Sequence, residues 1–140
     1  MDDKKIKELV RQKYGEIAEN SSCCSTGCCS SAEVYNIMNE DYSSLSGYNA
    51  DADLGLGCGL PTQFAGIKQG DTVIDLGSGA GNDCFVARAE TGETGRVIGI
   101  DFTPEMIAKA KSNAEKRGFT NVDFRLGDIE NMPVGGNSAD

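Results

Sequence analysis

The stretch Thr72-Val-Ile-Asp-Leu-Gly-Ser-Gly-Ala-Gly-Asn82 decides the fold of this 140-residue chain. It joins a short apolar run to three glycines at alternate positions, and a second apolar run over residues 96–100 ends on Asp101. Glycines allow a sharp turn and let a ligand approach main-chain N–H groups closely. The order of strand, glycine turn, helix, strand and acid therefore predicts the first half of a doubly wound, Rossmann-like α/β sheet that binds a nucleotide.

The acids around this turn indicate which nucleotide it binds. Asp101 follows the turn by about twenty residues, where a carboxylate accepts the hydroxyls of a ribose. The third glycine of the dinucleotide pattern G-x-G-x-x-G would fall on Asn82 and is absent, whereas Asp75 stands two residues before the first glycine. A carboxylate there repels a pyrophosphate and suits an ammonium group, directly or through water. We predict S-adenosylmethionine as the cofactor, with a pyrophosphate coenzyme as the less favoured alternative.

The composition of the chain limits the classes of partner that it is expected to bind. The net charge of −9 and a sequence pI near 4.4 argue against nucleic acid and anionic membranes. No apolar run approaches the roughly 18 residues of a membrane span, and no signal-peptide core follows the polar N-terminus. We therefore expect a cytoplasmic protein whose six cysteines are reduced thiols. The chain has no histidine, the commonest general base and metal ligand.

The hydrophobic pattern divides the chain into a helical, cysteine-rich segment over residues 1–61 and the first half of the cofactor-binding domain over residues 62–140. The spacing predicts helices over residues 2–19, 32–41, 62–66, 82–89 and 104–117, and a third strand over 122–126. The predicted strand order is 3-2-1, which leaves the first strand at an open edge. We expect a fourth strand to follow Asp140, so that the sequence is an N-terminal fragment.

Two cysteine-bearing stretches lie before the glycine turn. The first, residues 20–31, is a loop with four thiols: Cys23, Cys24, Cys28 and Cys29. Its adjacent cysteines fit a structural zinc site poorly, so a soft-ion or metalloid site is favoured, and a redox-sensitive loop without a ligand remains an alternative. In the second stretch, Cys58 lies within the run G-x-G-C-G, where the main chain can close over a ligand. The alternative for Cys58 is a small apolar residue in a tight turn.

Three further residues are candidates for the cofactor site or its surroundings. Cys84 lies in the first turn of the predicted crossover helix, where a buried, inert thiol is favoured over an activated one. Asp128 ends the third strand, where its carboxylate can meet an adenine amino group while Ile129 packs on the ring. A plain loop acid is the alternative for Asp128.

With these residues in view, the sequence resembles the arsenite S-adenosylmethionine methyltransferases, which belong to the class I methyltransferases. The motifs that carry the resemblance span nearly the whole chain: Tyr14-Gly15, Cys23-Cys24, Gly57-Cys58-Gly59-Leu60, residues 75–81 with Asp83-Cys84, and Gly99-Ile-Asp101. The glycine turn alone would fit any class I methyltransferase. The glycine-flanked Cys58, with a cysteine pair before it, is the specific part.

The resemblance implies methyl transfer to thiolate-bound trivalent arsenic, supplied as arsenite or its thiol conjugates, together with a thiol reductant. It implies that Cys58 is one of the arsenic-binding thiolates and that Cys23 or Cys24 takes part in shuttling or reduction. The expected cofactor-binding residues are Asp75, Gly77, Ser78, Gly79, Gly81, Asp101, Phe102, Asp128 and Ile129.

Two departures from the family pattern limit what is expected of this chain. Leu56 stands where the family commonly has a tyrosine, and the other arsenic-binding cysteines belong beyond Asp140. We therefore expect little or no turnover from the isolated chain. The alternatives are a class I methyltransferase acting on a small metabolite such as a quinone, and a non-enzymatic, thiol-rich metalloid-binding module.

Overall fold

A computed structural model describes residues 2–20, 41–56 and 59–140. The predicted helix over 32–41, the four-cysteine loop and Cys58 lie outside these ranges, apart from residue 41 and from Asn20, the predicted first residue of the loop, which instead ends the first helix. The described elements, in chain order, are α1 (Asp3–Asn20), α2 (Thr62–Ala65), β1 (Thr72–Leu76), α3 (Asn82–Thr91), β2 (Arg96–Asp101), α4 (Pro104–Lys116) and β3 (Val122–Leu126).

The three strands form one parallel sheet in the order β1-β2-β3, which is the predicted order. Ile74 of β1 is in register with Ile98 of β2, and Ile98 is in register with Asp123 of β3. Every residue of β2 after Arg96 is buried, as expected for the central strand of a parallel sheet. The predicted α/β architecture is confirmed for this part of the chain.

The core lies between the sheet and helices α3 and α4. Phe85 of α3 meets Phe124 of β3 edge to face, with ring centroids 6.0 Å apart. Both rings are almost fully buried, together with Val97, Ile100 and Met106. Helix α3 runs two residues further than the predicted end at residue 89, because Thr91 is fully buried and Gly92, with φ of 71°, ends the helix.

The N-terminal helix packs on the sheet domain through α4. Lys109 of α4 donates a hydrogen bond to the carbonyl of Ala18 across 3.3 Å. At Gly15, a side chain would place Cβ 3.1 Å from a carboxylate oxygen of Glu105, so the glycine permits the close approach of the two helices. Among the described residues, no helix is long and apolar enough to cross a membrane.

The free edge of β1 receives the last residue of the chain. The Asp140 backbone N–H donates to the Thr72 carbonyl across 3.0 Å, and the Thr72 N–H donates to the Asp140 carboxylate across 2.9 Å. This is the edge at which the sequence predicts a fourth strand. The division of the chain at residue 61 stays a prediction.

Candidate functional site

The glycine turn wraps over the carboxyl end of β2. Its glycines have φ angles of 75° at Gly77, 51° at Gly79 and 99° at Gly81, a region that side chains other than glycine rarely adopt. The N–H groups of Gly77 and Ser78 both donate to the Ile100 carbonyl, across 2.8 and 3.0 Å. The turn is thereby fixed against the strand that carries Asp101.

The Asp101 carboxylate is held by two backbone hydrogen bonds. One carboxylate oxygen accepts a hydrogen bond from the Gly79 N–H across 3.0 Å, and the other accepts from the Thr103 N–H across 2.8 Å. The residue is only 8% exposed. Each oxygen still has a free lone pair, so the fixed carboxylate can also accept two ligand hydroxyls.

A cavity of about 410 Å³ opens beside the turn and is called here the first cavity. Its walls come from the glycine turn, the start of α3, residues 101–103, the loop 42–56 and α1, which contributes Val10 and Tyr14. Three carboxylates line it, those of Asp53, Asp83 and Asp101, and none of its described lining residues is a lysine or arginine. The first cavity therefore favours a cationic ligand.

A second cavity, of about 260 Å³, adjoins the first and shares Gly77, Asp101 and Phe102 with it. Leu76, Ile100 and Ile129 make its lining mainly apolar, which suits a flat aromatic ring. At its rim, the Lys7 ammonium of α1 contacts the carboxylates of Asp128, at 2.7 Å, and Glu130. The hydrogen bond from Lys7 lowers the pKa of the Asp128 carboxyl below its ordinary value.

Asp75 lies apart from both cavities. Its carboxylate accepts a hydrogen bond from the Cys84 thiol across 3.2 Å, and neither residue lines the first or the second cavity. Burial raises the pKa of Asp75 to about 6. Burial, with the nearby Asp75 charge, also holds the pKa of Cys84 well above its ordinary value. The predicted buried position of this thiol is confirmed, and its inertness stays a prediction.

Tyr42 links the loop over residues 42–56 to Gly59. The side chain is 1% exposed and its hydroxyl donates a hydrogen bond to the Gly59 carbonyl. The same hydroxyl lies 3.4 Å from a carboxylate oxygen of Asp83. Burial and the neighbouring acids, Asp83 foremost, raise the pKa of Tyr42, so it is a neutral donor at physiological pH.

Several buried polar atoms that belong to residues lining the first cavity have no hydrogen-bond partner within the described part of the chain. They are the hydroxyl oxygen of Ser78, the amide oxygen of Asn82 and one carboxylate oxygen of Asp83. Unpaired buried polar atoms are rare in folded proteins because each costs about 1–3 kcal/mol. Because all three atoms belong to residues that line the first cavity, this cavity suits a polar ligand.

With this geometry established, comparison with known proteins identifies the family. The family model described as a methyltransferase domain matches residues 67–140. The chain belongs to this family.

Two similar curated proteins are arsenite methyltransferases. The methyltransferase chain is 45% identical to the one from Halobacterium salinarum over 95% of its own length and 37% of that protein. It is 36% identical to the one from Aquipseudomonas alcaligenes over 89% of its own length and 36% of that protein. The resemblance drawn from the motifs is confirmed, and the chain spans little more than a third of these relatives.

A solved structure supports the fold. The methyltransferase chain superposes on a SAM-dependent methyltransferase from Aquifex aeolicus with a TM-score of 0.54 and 32% identity, covering 57% of this chain and 43% of that one. The predicted class I methyltransferase fold is therefore confirmed.

The predicted cofactor residues of the methyltransferase chain fall into three groups. Gly77, Ser78, Gly79, Asp101 and Phe102 line the first cavity, and Asp128 and Ile129 line the second. Gly81 lines neither, because it packs against Phe85 and Phe124 in the core. Asp75 also lines neither, so the geometry does not favour direct contact between its carboxylate and a ligand in these cavities.

The lining residues that sequence reasoning did not assign to the site include Tyr42, Asp53, Asn82 and Asp83. The signal for the last two was available, because they follow the glycine turn directly and begin α3. No local pattern marks Tyr42 or Asp53, which the tertiary fold brings to the cavity from a separate loop. The predicted roles of Cys23, Cys24 and Cys58 stay predictions, since these residues lie outside the described ranges.

Proposed function

We propose that the protein transfers methyl groups from S-adenosylmethionine to trivalent arsenic held by cysteine thiolates. The observation that carries the cofactor assignment is the pair of adjoining cavities, one acidic and one apolar, that meet at Asp101. The match to arsenite methyltransferases along 95% of the chain supports the substrate. Because the chain spans 37% of that relative, both substrate and activity are proposals for the whole protein.

The described residues fit S-adenosylmethionine part by part. The apolar second cavity, with Ile129, would take the adenine ring, and Asp101 at the junction would accept the ribose hydroxyls. The first cavity would take the amino-acid part, which carries an ammonium group next to the sulfonium. Its carboxylates and the lack of a described lysine or arginine disfavour a pyrophosphate there.

The proposed chemistry needs orientation more than acid–base catalysis. S-adenosylmethionine, when bound, supplies a methyl group activated by its sulfonium. The lone pair of trivalent arsenic forms the new As–C bond as the S–C bond breaks and its electron pair returns to sulfur, so no proton has to be removed. Holding the reactants in near-attack geometry contributes up to about 7–11 kcal/mol. The chain therefore does not need the histidine that it lacks.

The cysteines supply the substrate side of the proposal. Trivalent arsenic is soft and binds thiolates, and we assign Cys58 to this set, with Cys23 or Cys24 in shuttling or reduction. Methylation leaves arsenic formally pentavalent, so a thiol reductant is needed to restore the trivalent state. We place the activity in the cytoplasm, where thiols stay reduced.

Parallel titrations with arsenite and S-adenosylhomocysteine test this function. We expect the wild-type chain to bind both, Cys58→Ser to lose arsenite affinity selectively, and Asp101→Asn to lose nucleoside affinity selectively. Cys84→Ser is the matched control, because this buried thiol lines neither cavity. Equilibrium dialysis with elemental analysis measures arsenic, and isothermal titration calorimetry measures the nucleoside.

The titration results that would contradict this proposal also distinguish the two alternative functions. Nucleoside binding without arsenite binding would support a methyltransferase of another small metabolite and would overturn the arsenic assignment. Arsenite binding without nucleoside binding would support a thiol-rich metalloid-binding module and would overturn methyl transfer.

A further inference from the structure

The three carboxylates of the first cavity differ in how many hydrogen bonds they accept from the protein. Both oxygens of Asp101 accept backbone N–H groups. Asp53 is also satisfied at both oxygens, by the Gly55 N–H across 3.1 Å and by the Tyr48 hydroxyl across 3.2 Å. Within the described part of the chain, Asp83 has one buried oxygen without a partner, and its other oxygen contacts the Tyr42 hydroxyl.

The contact between Tyr42 and Asp83 does not supply that missing donor. A tyrosine hydroxyl has a single proton, and Tyr42 directs it to the Gly59 carbonyl, which is the much shorter of its two contacts. The hydroxyl lies 3.4 Å from the Oδ2 atom of Asp83, so this contact leaves the Oδ1 atom without a donor. Asp83 therefore lines the cavity with one carboxylate oxygen that has no donor among the described residues.

The residue that precedes Asp83 in sequence, Asn82, carries a second acceptor. The amide oxygen of Asn82 is buried without a hydrogen-bond partner within the described ranges, and Asn82 also lines the first cavity. An ammonium group has three N–H donors and a positive charge, so it suits a cavity lined by a carboxylate and an amide that each have an oxygen without a donor. The deeply buried Ser78 hydroxyl, 7% exposed and also unpaired, lies in the same wall.

We propose that Asp83, with the amide oxygen of Asn82, binds the α-ammonium group of the amino-acid part of S-adenosylmethionine. This inference rests on the proposed function, and it assigns the ammonium to Asp83 rather than to Asp75. Asp75 lines neither cavity and accepts the Cys84 thiol. Burial raises the pKa of Asp83, so a cation beside its carboxylate would stabilise the charged form.

The test pairs a ligand change with a residue change. Calorimetry compares S-adenosylhomocysteine with its deamino analogue, which lacks only the ammonium group, on the wild-type chain and on Asp83→Asn. We expect the wild type to prefer S-adenosylhomocysteine by about tenfold to a hundredfold, the range for charge-assisted hydrogen bonds. In Asp83→Asn this preference should fall to about threefold or less, with affinity for the deamino analogue unchanged.

Two matched variants place the effect on Asp83. Asp75→Asn, equally isosteric, should retain the wild-type preference, and Asp101→Asn should weaken both ligands by the same factor. Asp83→Ser repeats the measurement with a smaller side chain, so that the assignment does not depend on one variant folding well. Binding of the deamino analogue shows in each case that the site is intact.

The result that overturns the inference is a preference that survives in both Asp83 variants, or one that is lost in Asp75→Asn instead. Failure of the wild type to bind either ligand would be a different outcome, because it would overturn the proposed function itself and the inference with it.

Discussion

The Cys84 thiol donates a hydrogen bond to the Asp75 carboxylate across 3.2 Å, and this contact turns both residues away from the two cavities. It joins the C-terminal end of β1 to the first turn of α3, on either side of the glycine turn. Burial raises the pKa of both groups. We therefore expect the folding stability to depend on pH through Asp75 and the Cys84 thiol to react slowly.

The first prediction concerns how the free energy of unfolding depends on pH. The pKa of Asp75 is 3.8 in its ordinary state and about 6 in the folded chain, so the folded state holds the proton more tightly. As the pH rises from about 4 to about 6, the unfolded chain loses this proton first, and the contribution of Asp75 to stability falls by roughly 3 kcal/mol. Above about pH 6, the contribution of Asp75 to stability no longer changes with pH.

Asp75→Asn removes this titration and keeps an acceptor for the Cys84 thiol. The difference in unfolding free energy, variant minus wild type, should rise between about pH 4 and pH 6 and then stay level, as measured by urea unfolding at each pH. A difference that does not change with pH would show that Asp75 is not buried as described.

The second prediction concerns the reactivity of Cys84. The thiolate is the reactive form of cysteine, and burial and the Asp75 charge both disfavour it here. In a variant that keeps Cys84 as its single cysteine, alkylation should be at least about a hundredfold slower in the folded chain than in urea, because the side chain is 0% exposed. Mass spectrometry over time measures the rate. Equal rates in both states would contradict the buried position.

The third prediction compares two glycines of the turn. Both Gly77 and Gly81 have positive φ, so alanine costs about 1–2 kcal/mol at either position. At Gly81 a new Cβ would also lie 2.8 Å from the Phe124 ring and 3.1 Å from the Phe85 ring, whereas at Gly77 nothing lies within 4 Å. Overpacking of this kind costs about 1–3 kcal/mol more.

We therefore expect Gly81→Ala to lower the urea midpoint clearly more than Gly77→Ala does. Gly77→Ala should instead weaken S-adenosylhomocysteine binding, because Gly77 lines both cavities. A lower urea midpoint for Gly77→Ala than for Gly81→Ala would show that Gly81 does not pack against the core aromatic rings.

The fourth prediction concerns Tyr42. Tyr42→Phe removes the hydrogen bond to the Gly59 carbonyl and keeps the packing of the ring, so it should lower stability by about 1 kcal/mol. Since Gly59 follows Cys58 in sequence, the same variant should weaken arsenite binding more than nucleoside binding. Thermal unfolding and the two titrations measure these effects. Tyr48→Phe, whose hydroxyl contacts Asp53, is the matched control.

How much of the structure was predictable depends on how far apart the interacting residues are. The strand order, the glycine turn and the position of Asp101 follow from the apolar runs and glycines between residues 72 and 101, and the structure confirms the strand order and the fold. The inert character of Cys84 was also predicted. The contact between Lys7 and Asp128, 121 residues apart, has no local signature.

The sequence by itself determined the class I methyltransferase half-sheet, because short-range hydrophobic periodicity and glycine geometry fix each β–turn–α unit. Only the tertiary structure decided which acids face the first cavity. Asp75, beside the turn in sequence, is directed to Cys84, whereas Asp83 and Asp53 line the cavity. The physical reason is clearest for Asp53, because it reaches the cavity on the loop that carries Tyr42, which contacts α3 at Asp83, and no local pattern encodes packing between segments so far apart in sequence.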